Sequence, residues 1–278
     1  MPKLSDVITA LEELYPPRWA ESWDAVGLVC GDPQAEVRRV LFAVDPVQAV
    51  VDEAVEWGAD LVVTHHPLYL RGTTTVAATT FKGRVVHTLI RNGIALHVAH
   101  TNADHADPGV SDALAEAVGV TVTGPLVPDP TDPLGRRGTG RVGLLEPPLT
   151  LAVFAANVAK GLPATAAGVR VSGDPNRLVS RVAVCGGSGD SLFAEVRAAG
   201  VDAYLTADLR HHPASEAAEA APVALVDAAH WATEWPWLPL AERALHGAAE
   251  KHGWTVETRV SRTVTDPWTA HAPMSFPA

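Results

Sequence analysis

The sequence predicts an α/β protein of two lobes, each a sheet flanked by helices. Three features predict it. Strand and helix patterns alternate over residues 1–118, a proline- and glycine-rich stretch interrupts them, and the alternation then resumes to the end. The lobes are placed at 1–125 and 126–278, and a last strand at 254–261 can return to the first lobe. The key strand is Leu61-Val62-Val63-Thr64, an apolar β-favouring run that leads straight into His65-His66-Pro67. It reads as a buried strand delivering two imidazoles at its carboxyl end, where Pro67 stops the ladder. Open α/β sheets place ligands at that edge.

Residues 4–15 carry Leu4, Val7, Ile8, Leu11 and Leu14 at helical spacing, and Pro16-Pro17 ends that helix. A glycine-punctuated segment, Trp23 to Gly31, follows. Its plain reading is a packed aromatic beside a turn, and the alternative is that Asp24 approaches a site. Strands are expected at 37–44, 60–64 and 94–100, with helices at 47–57, 82–92 and 110–118. The polar, threonine-rich stretch 71–80 reads as a mobile loop. Pro125, Pro128, Pro130 and Pro133 make 119–138 a linker or domain junction. Beyond it, strands are expected at 140–145, 169–172, 180–185, 202–206 and 224–226. Helices are expected at 150–161, up to about 199, at 213–220 and at about 237–251.

Composition narrows the function classes. With 278 residues, 47% hydrophobic and 19% charged, the chain has ample material for a core. No apolar run reaches the length of a membrane span, and the start lacks the regions of a signal peptide, so a cytoplasmic protein without a membrane partner is expected. The net charge is -11, which disfavours nucleic acid as a partner. Two cysteines, Cys30 and Cys185, are too few for a disulfide framework or a thiolate zinc site, and read as small buried hydrophobes. Twelve histidines, several of them clustered, are the unusual feature.

Three constellations carry chemistry. His65 and His66 follow a strand, and two ligands on neighbouring residues suit a pair of ions; packing is the alternative. Asp104 lies beyond the strand at 94–100, with His100 and His105 nearby, as a hard-cation ligand or a loop cap. His230 and Glu234 stand four apart, a chelating pair if the segment is helical, or a surface hydrogen bond. Together the five supply three imidazoles and two carboxylates, enough for two divalent ions sharing a bridging carboxylate and water. Mixed N/O ligation fits Zn, Mn, Fe or Ni. Gly186-Gly187-Ser188-Gly189, between a strand and a helix, reads as a phosphate cradle or a plain tight turn. Gly187, Ser188, Arg210 and His211 are the candidate substrate contacts, and His211-His212-Pro213 repeats the His-His-Pro motif.

The ordered set Trp23-Asp24-x-Val26-Gly27-Leu28, Thr64-His65-His66-Pro67, His100-Thr101-Asn102-x-Asp104 and Asp227-x-x-His230-x-x-Thr233-Glu234 resembles the NIF-three-like dinuclear metal family, whose members are often labelled GTP cyclohydrolase 1 type 2 homologues. The resemblance spans nearly the whole chain. It implies a dinuclear site in a cleft between the two lobes, with His65, His66, Asp104, His230 and Glu234 as ligands and Glu234 as the bridge. It also implies a toroidal homohexamer. Where the family pattern has a Thr-Gly-acid turn, this chain has Thr206-Ala207-Asp208, keeping the acid and losing the glycine. Some members carry a large extra domain mid-chain, for which 278 residues leave no room.

Two functions follow. One is a metal-dependent hydrolase, GTP cyclohydrolase-like, acting on a nucleotide-like or phosphate-bearing small molecule through a metal-activated water. The other is a metal-binding or metal-trafficking homo-oligomer without turnover.

Overall fold

A computed structural model describes residues 1–272 of the chain. In chain order the first elements are α1 (Leu4–Leu14), β1 (Gly27–Cys30), β2 (Arg39–Ala43), α2 (Gln48–Trp57), β3 (Leu61–Thr64), α3 (Phe81–Arg91), β4 (Ala95–Val98) and a single turn, α4 (Thr101–Asp104). Residues 110–236 then build a separate unit from α5 (Val110–Ala117), β5 (Thr121–Pro128), β6 (Gly138–Thr150), α6 (Leu151–Gly161), β7 (Arg170–Ser172), β8 (Leu178–Ser188), α7 (Phe193–Ala199), β9 (Ala203–Ala207), α8 (His211–Ala220), β10 (Ala224–Ala228) and α9 (His230–Glu234). The chain returns to the first unit through α10 (Trp237–His252) and β11 (Glu257–Val260).

The first unit is thus Met1–Gly109 with Trp237–Thr265, around a five-stranded sheet of order β1-β4-β3-β2-β11. Strands β4, β3, β2 and β11 run parallel, and β1 closes one edge antiparallel to β4. Every residue of β3 and β4 is buried, as expected of strands covered on both faces. Leu41, Val50, Val62, Leu89 and Leu96 form one core layer, each contributing about 1.5–3 kcal/mol by burial. Parallel pairing has a functional consequence: β2, β3 and β4 present their carboxyl ends along a single edge.

The second unit is Val110–Pro236 with Asp266 onward, around a six-stranded sheet of order β5-β6-β8-β9-β10-β7. Here β8, β9 and β10 run parallel, with antiparallel strands outside them. Again three adjacent strands end along one edge. Val196, Tyr204 and Leu225 anchor a core under α7.

The two compact units divide between Gly109 and Val110, so α5 belongs to the second unit. One sequence expectation is corrected. Residues 119–138 are no linker, because 121–128 form β5 and pair antiparallel with β6. Pro125 and Pro128 are tolerated there because β5 is an edge strand, where a missing N–H breaks no central ladder. Among the described residues no helix is long and apolar enough to cross a membrane.

Candidate metal centre

In the first unit, β3 delivers its histidines as the apolar run requires. The backbone ladder continues past the strand, with His65 N–H donating to Ala43 O (3.1 Å) and His66 N–H to Val44 O (2.8 Å). His65 is 1% exposed. Its Nδ1 bonds the carbonyl of Ala99, just beyond β4, at 3.0 Å. His66 Nδ1 lies 2.7 Å from Oδ1 of Asp45, which follows β2. Thr265 Oγ1 donates to the other oxygen of Asp45. His100, at the start of α4, has Nδ1 2.9 Å from Asp24 Oδ1. The three rings close into a cluster, with His65 5.2 Å from both His66 and His100 and His66 5.7 Å from His100, centroid to centroid. One ring nitrogen from each lies within 4.8 Å of the others, as a shared cation would require.

Asp104, at the end of α4, places Oδ1 3.7 Å from His65 Nε2. His105 turns elsewhere, toward Glu21 at 3.5 Å. The buried Trp237 ring backs His65 at 5.4 Å and packs edge-on against Tyr15 at 5.5 Å. Burial pushes the Tyr15 hydroxyl up to about 12.

The second unit builds a smaller constellation at its own carboxyl edge. After β10 the chain winds at once into α9, which puts His230 and Glu234 on one face with Nε2 and Oε1 2.9 Å apart. The Glu234 side chain is 4% exposed. His230 Nδ1 is held at 2.7 Å by Asp208, beyond β9. Asp208 takes φ +56°, the only non-glycine residue of positive φ among the described residues. A short acidic side chain tolerates that conformation better than most. The missing family glycine is therefore no obstacle, since Ala207 stays in the strand and Asp208 makes the turn.

Gly187 packs closely against the His230–Glu234 pair. At φ +68° a Cβ there would come within 2.4 Å of Glu234 Oε1 and 3.1 Å of His230 Nε2. Its N–H donates to Thr233 Oγ1 (2.9 Å), and Gly186 N–H donates to Ser111 Oγ (3.3 Å). These two amides donate within the protein, and Gly186 and Gly187 lie inside β8, packed against the helix that carries His230 and Glu234. Ser188 is exposed at the strand end. Arg210 pairs with Asp190. His211 and His212 open α8 as exposed residues, and His211 lines a groove of about 430 Å³ with Arg170 and Asp227.

Sequence reasoning named five candidate ligands and missed most of what holds them. From sequence His100 is only a neighbour of Asp104, and no motif marks Asp45 or Asp208 as orienting a ring. The signal was present, since each of these aspartates immediately follows a strand of a parallel set. For Asp24 the less favoured alternative describes the structure. Its carboxylate accepts from Ala25 N, Thr101 N, Thr101 Oγ1 and His100 Nδ1. Burial alone would raise its pKa, but those bonds outweigh burial and hold it well below the ordinary carboxylate range.

These features define a class: α/β proteins that set histidine–carboxylate clusters at the carboxyl edges of parallel sheets. The chain belongs to the DUF34/NIF3 (NGG1p interacting factor 3) family, whose model matches residues 2–267. It is 70% identical over 271 residues to a Streptomyces coelicolor protein named GTP cyclohydrolase 1 type 2 homolog, covering 98% of this chain and 95% of that one. A Mycobacterium tuberculosis protein of the same name is 40% identical, with 96% of each covered. That alignment runs over 370 positions, so the mycobacterial relative carries an insertion that this chain lacks. Among solved structures, a hypothetical protein of Staphylococcus aureus matches with TM-score 0.88 at 28% identity, covering 98% of this chain and 100% of that one. Reduced HcgD from Methanocaldococcus jannaschii matches with TM-score 0.72 at 28% identity, with 94% and 98% covered.

Proposed function

We propose that the chain is a metal-dependent hydrolase that holds two divalent ions. His65, His66, Asp104, His230 and Glu234 would be the ligands, with Glu234 as the bridging carboxylate. One observation carries this reading. Each of the four imidazoles His65, His66, His100 and His230 has its Nδ1 taken by an oxygen acceptor, at 2.7–3.0 Å. Such a partner orients the ring and favours the Nδ1–H tautomer, the arrangement that metal-ligating imidazoles use. Three of the four acceptors are aspartates.

The donor set fits a cation of mixed N/O preference such as Zn, Mn, Fe or Ni. A side chain at Gly187 would fill the space beside Glu234 Oε1 and His230 Nε2, so that position supports the fit from the second unit. When bound, paired ions lower the pKa of a water and stabilise developing negative charge on the substrate. The chain's own part is positional. Asp45, Asp24 and Asp208 hold the rings, and the buried Trp237 keeps bulk water from one side of His65. The relatives' name supports a nucleotide-like substrate with a hydrolysable ring or ester bond.

Elemental analysis of protein purified without added metal or chelator tests the reading. About two ions per wild-type chain are expected, mostly lost in Glu234→Ala, together with metal-dependent turnover of a nucleotide panel. A wild-type chain that arrives metal-free and takes up none of Zn, Mn, Fe or Ni would refute the ligand assignment. Stoichiometric metal that exchanges freely, without turnover of any nucleotide, would favour a trafficking role.

A further inference from the structure

We propose that Trp23 is a stacking platform for a planar heteroaromatic ring, placing a nucleobase-like ligand beside the histidine cluster of the first unit. The inference deepens the hydrolase reading, on which its substrate class rests. The sequence alone suggested a packed aromatic, but the indole is 56% exposed. Exposure of so large an apolar side chain carries little weight by itself, because scattered surface hydrophobes are ordinary.

The way the surrounding turn is fixed gives the exposure its meaning. Next to Trp23, the Asp24 carboxylate is fully buried and accepts four hydrogen bonds, from Ala25 N (2.7 Å), Thr101 N (3.0 Å), His100 Nδ1 (2.9 Å) and Thr101 Oγ1. Two residues earlier, Glu21 N–H donates to Thr101 Oγ1 at 2.9 Å, and Asp24 N–H donates back to Glu21 O at 3.0 Å. The turn 21–25 is thereby tied on both sides of Trp23 to the first turn of α4, which also carries His100. The indole stands 6.1 Å from the His100 ring at 79°. His100 in turn lies 5.2 Å from His65 and 5.7 Å from His66.

A rigid backbone therefore holds an open aromatic surface one imidazole away from the candidate ligands. Preorganisation of this kind lowers the ordering cost of binding. Stacking on an indole requires only a π-face, so it accommodates purines and pyrimidines alike. The platform would orient the flat ring while the cluster meets the atom to be attacked.

The test measures equilibrium dialysis of guanosine, with ribose as the comparator lacking a ring system, on metal-loaded full-length protein. Wild type is expected to bind guanosine and not ribose. Trp23→Ala should weaken guanosine about ten-fold or more, and Trp23→Phe should recover most of the loss, with metal content and melting temperature unchanged. Equal affinity in Trp23→Ala, or no binding of guanosine or adenosine by wild type, would overturn the inference. So would a changed oligomeric state in Trp23→Ala with guanosine affinity intact, which would assign the indole to contacts between copies. Metal content separates the two readings. Bound metal with no effect of Trp23 removes the platform and leaves the centre, whereas Trp23-dependent binding to a chain that takes up no metal removes the centre and leaves the platform.

Discussion

Replacing Gly187 by alanine adds one methyl group and should disrupt the proposed metal ligation at His230 and Glu234 without unfolding the second unit. Two costs can be worked out. The backbone at φ +68° is left-handed, which costs a residue with a Cβ roughly 1–2 kcal/mol. The new Cβ would also stand 2.4 Å from Glu234 Oε1 and 3.1 Å from His230 Nε2, well inside van der Waals contact. The nearest atom belongs to the end of a flexible side chain, so the clash is relieved by swinging the carboxylate rather than by moving β8. That motion breaks the 2.9 Å His230–Glu234 pair and displaces the proposed bridge. The expected outcome is a modest loss of stability, about 1–2 kcal/mol by urea denaturation of the metal-free protein. Metal affinity should fall much more, on the order of 100-fold or greater by isothermal titration with Zn or Mn. Gly187→Ala protein that binds both ions with wild-type affinity would refute the claim that Glu234 Oε1 and His230 Nε2 face the metal.

Two further predictions concern stability. Arg141 is 1% exposed and uses Nε and a terminal nitrogen on Asp112 (2.8 and 2.7 Å), while its other terminal nitrogen donates to Gly138 O and Gly140 O. Arg141→Met should cost about 3–5 kcal/mol by urea denaturation, because it removes a buried guanidinium from Asp112 and from two backbone carbonyls; a cost below about 1 kcal/mol would show that the pair is replaceable. His97, buried on β4, has its pKa lowered from 6.5 to about 4 by desolvation. The unfolded chain therefore binds more protons between those values, and stability falls as the pH drops from about 6.5 toward 4, by roughly 2 kcal/mol between pH 7 and pH 5. Urea denaturation at both pH values should show that His97→Gln loses this increment relative to wild type, and identical pH slopes would sink the assignment.

Much of the fold was legible because its signals are local. The apolar runs at Leu61–Thr64 and Ala203–Thr206 are short, and glycine, proline or charge punctuates them, so each announces a buried strand wherever it sits. The hairpin at 121–150 misled because four prolines resemble a linker, and only sheet order reveals β5 as an edge strand. The candidate ligands were legible for a related reason, since each follows a recognisable strand. The residues that hold them depend on lateral neighbours. Asp45 meets His66 because β2 lies beside β3, and Asp208 meets His230 because β9 lies beside β10. Strand order is a tertiary property that no window of sequence contains.

That dependence explains why the two units, with different sheets, arrive at the same device. In each, three parallel strands end side by side, one loop supplies a histidine, and the neighbouring loop supplies the aspartate that orients it. Parallel pairing sets adjacent strand ends about 5 Å apart, the right reach for an aspartate beyond one strand to hydrogen-bond an imidazole beyond the next. A carboxylate placed there removes the rotational freedom of the ring before any ion arrives. Substituting an orienting aspartate should therefore weaken metal binding even though the ligand itself is untouched. The effect should be larger at Asp208, whose ring is paired with a nearly buried carboxylate, than at Asp45, whose ring sits within a three-histidine cluster that retains other donors.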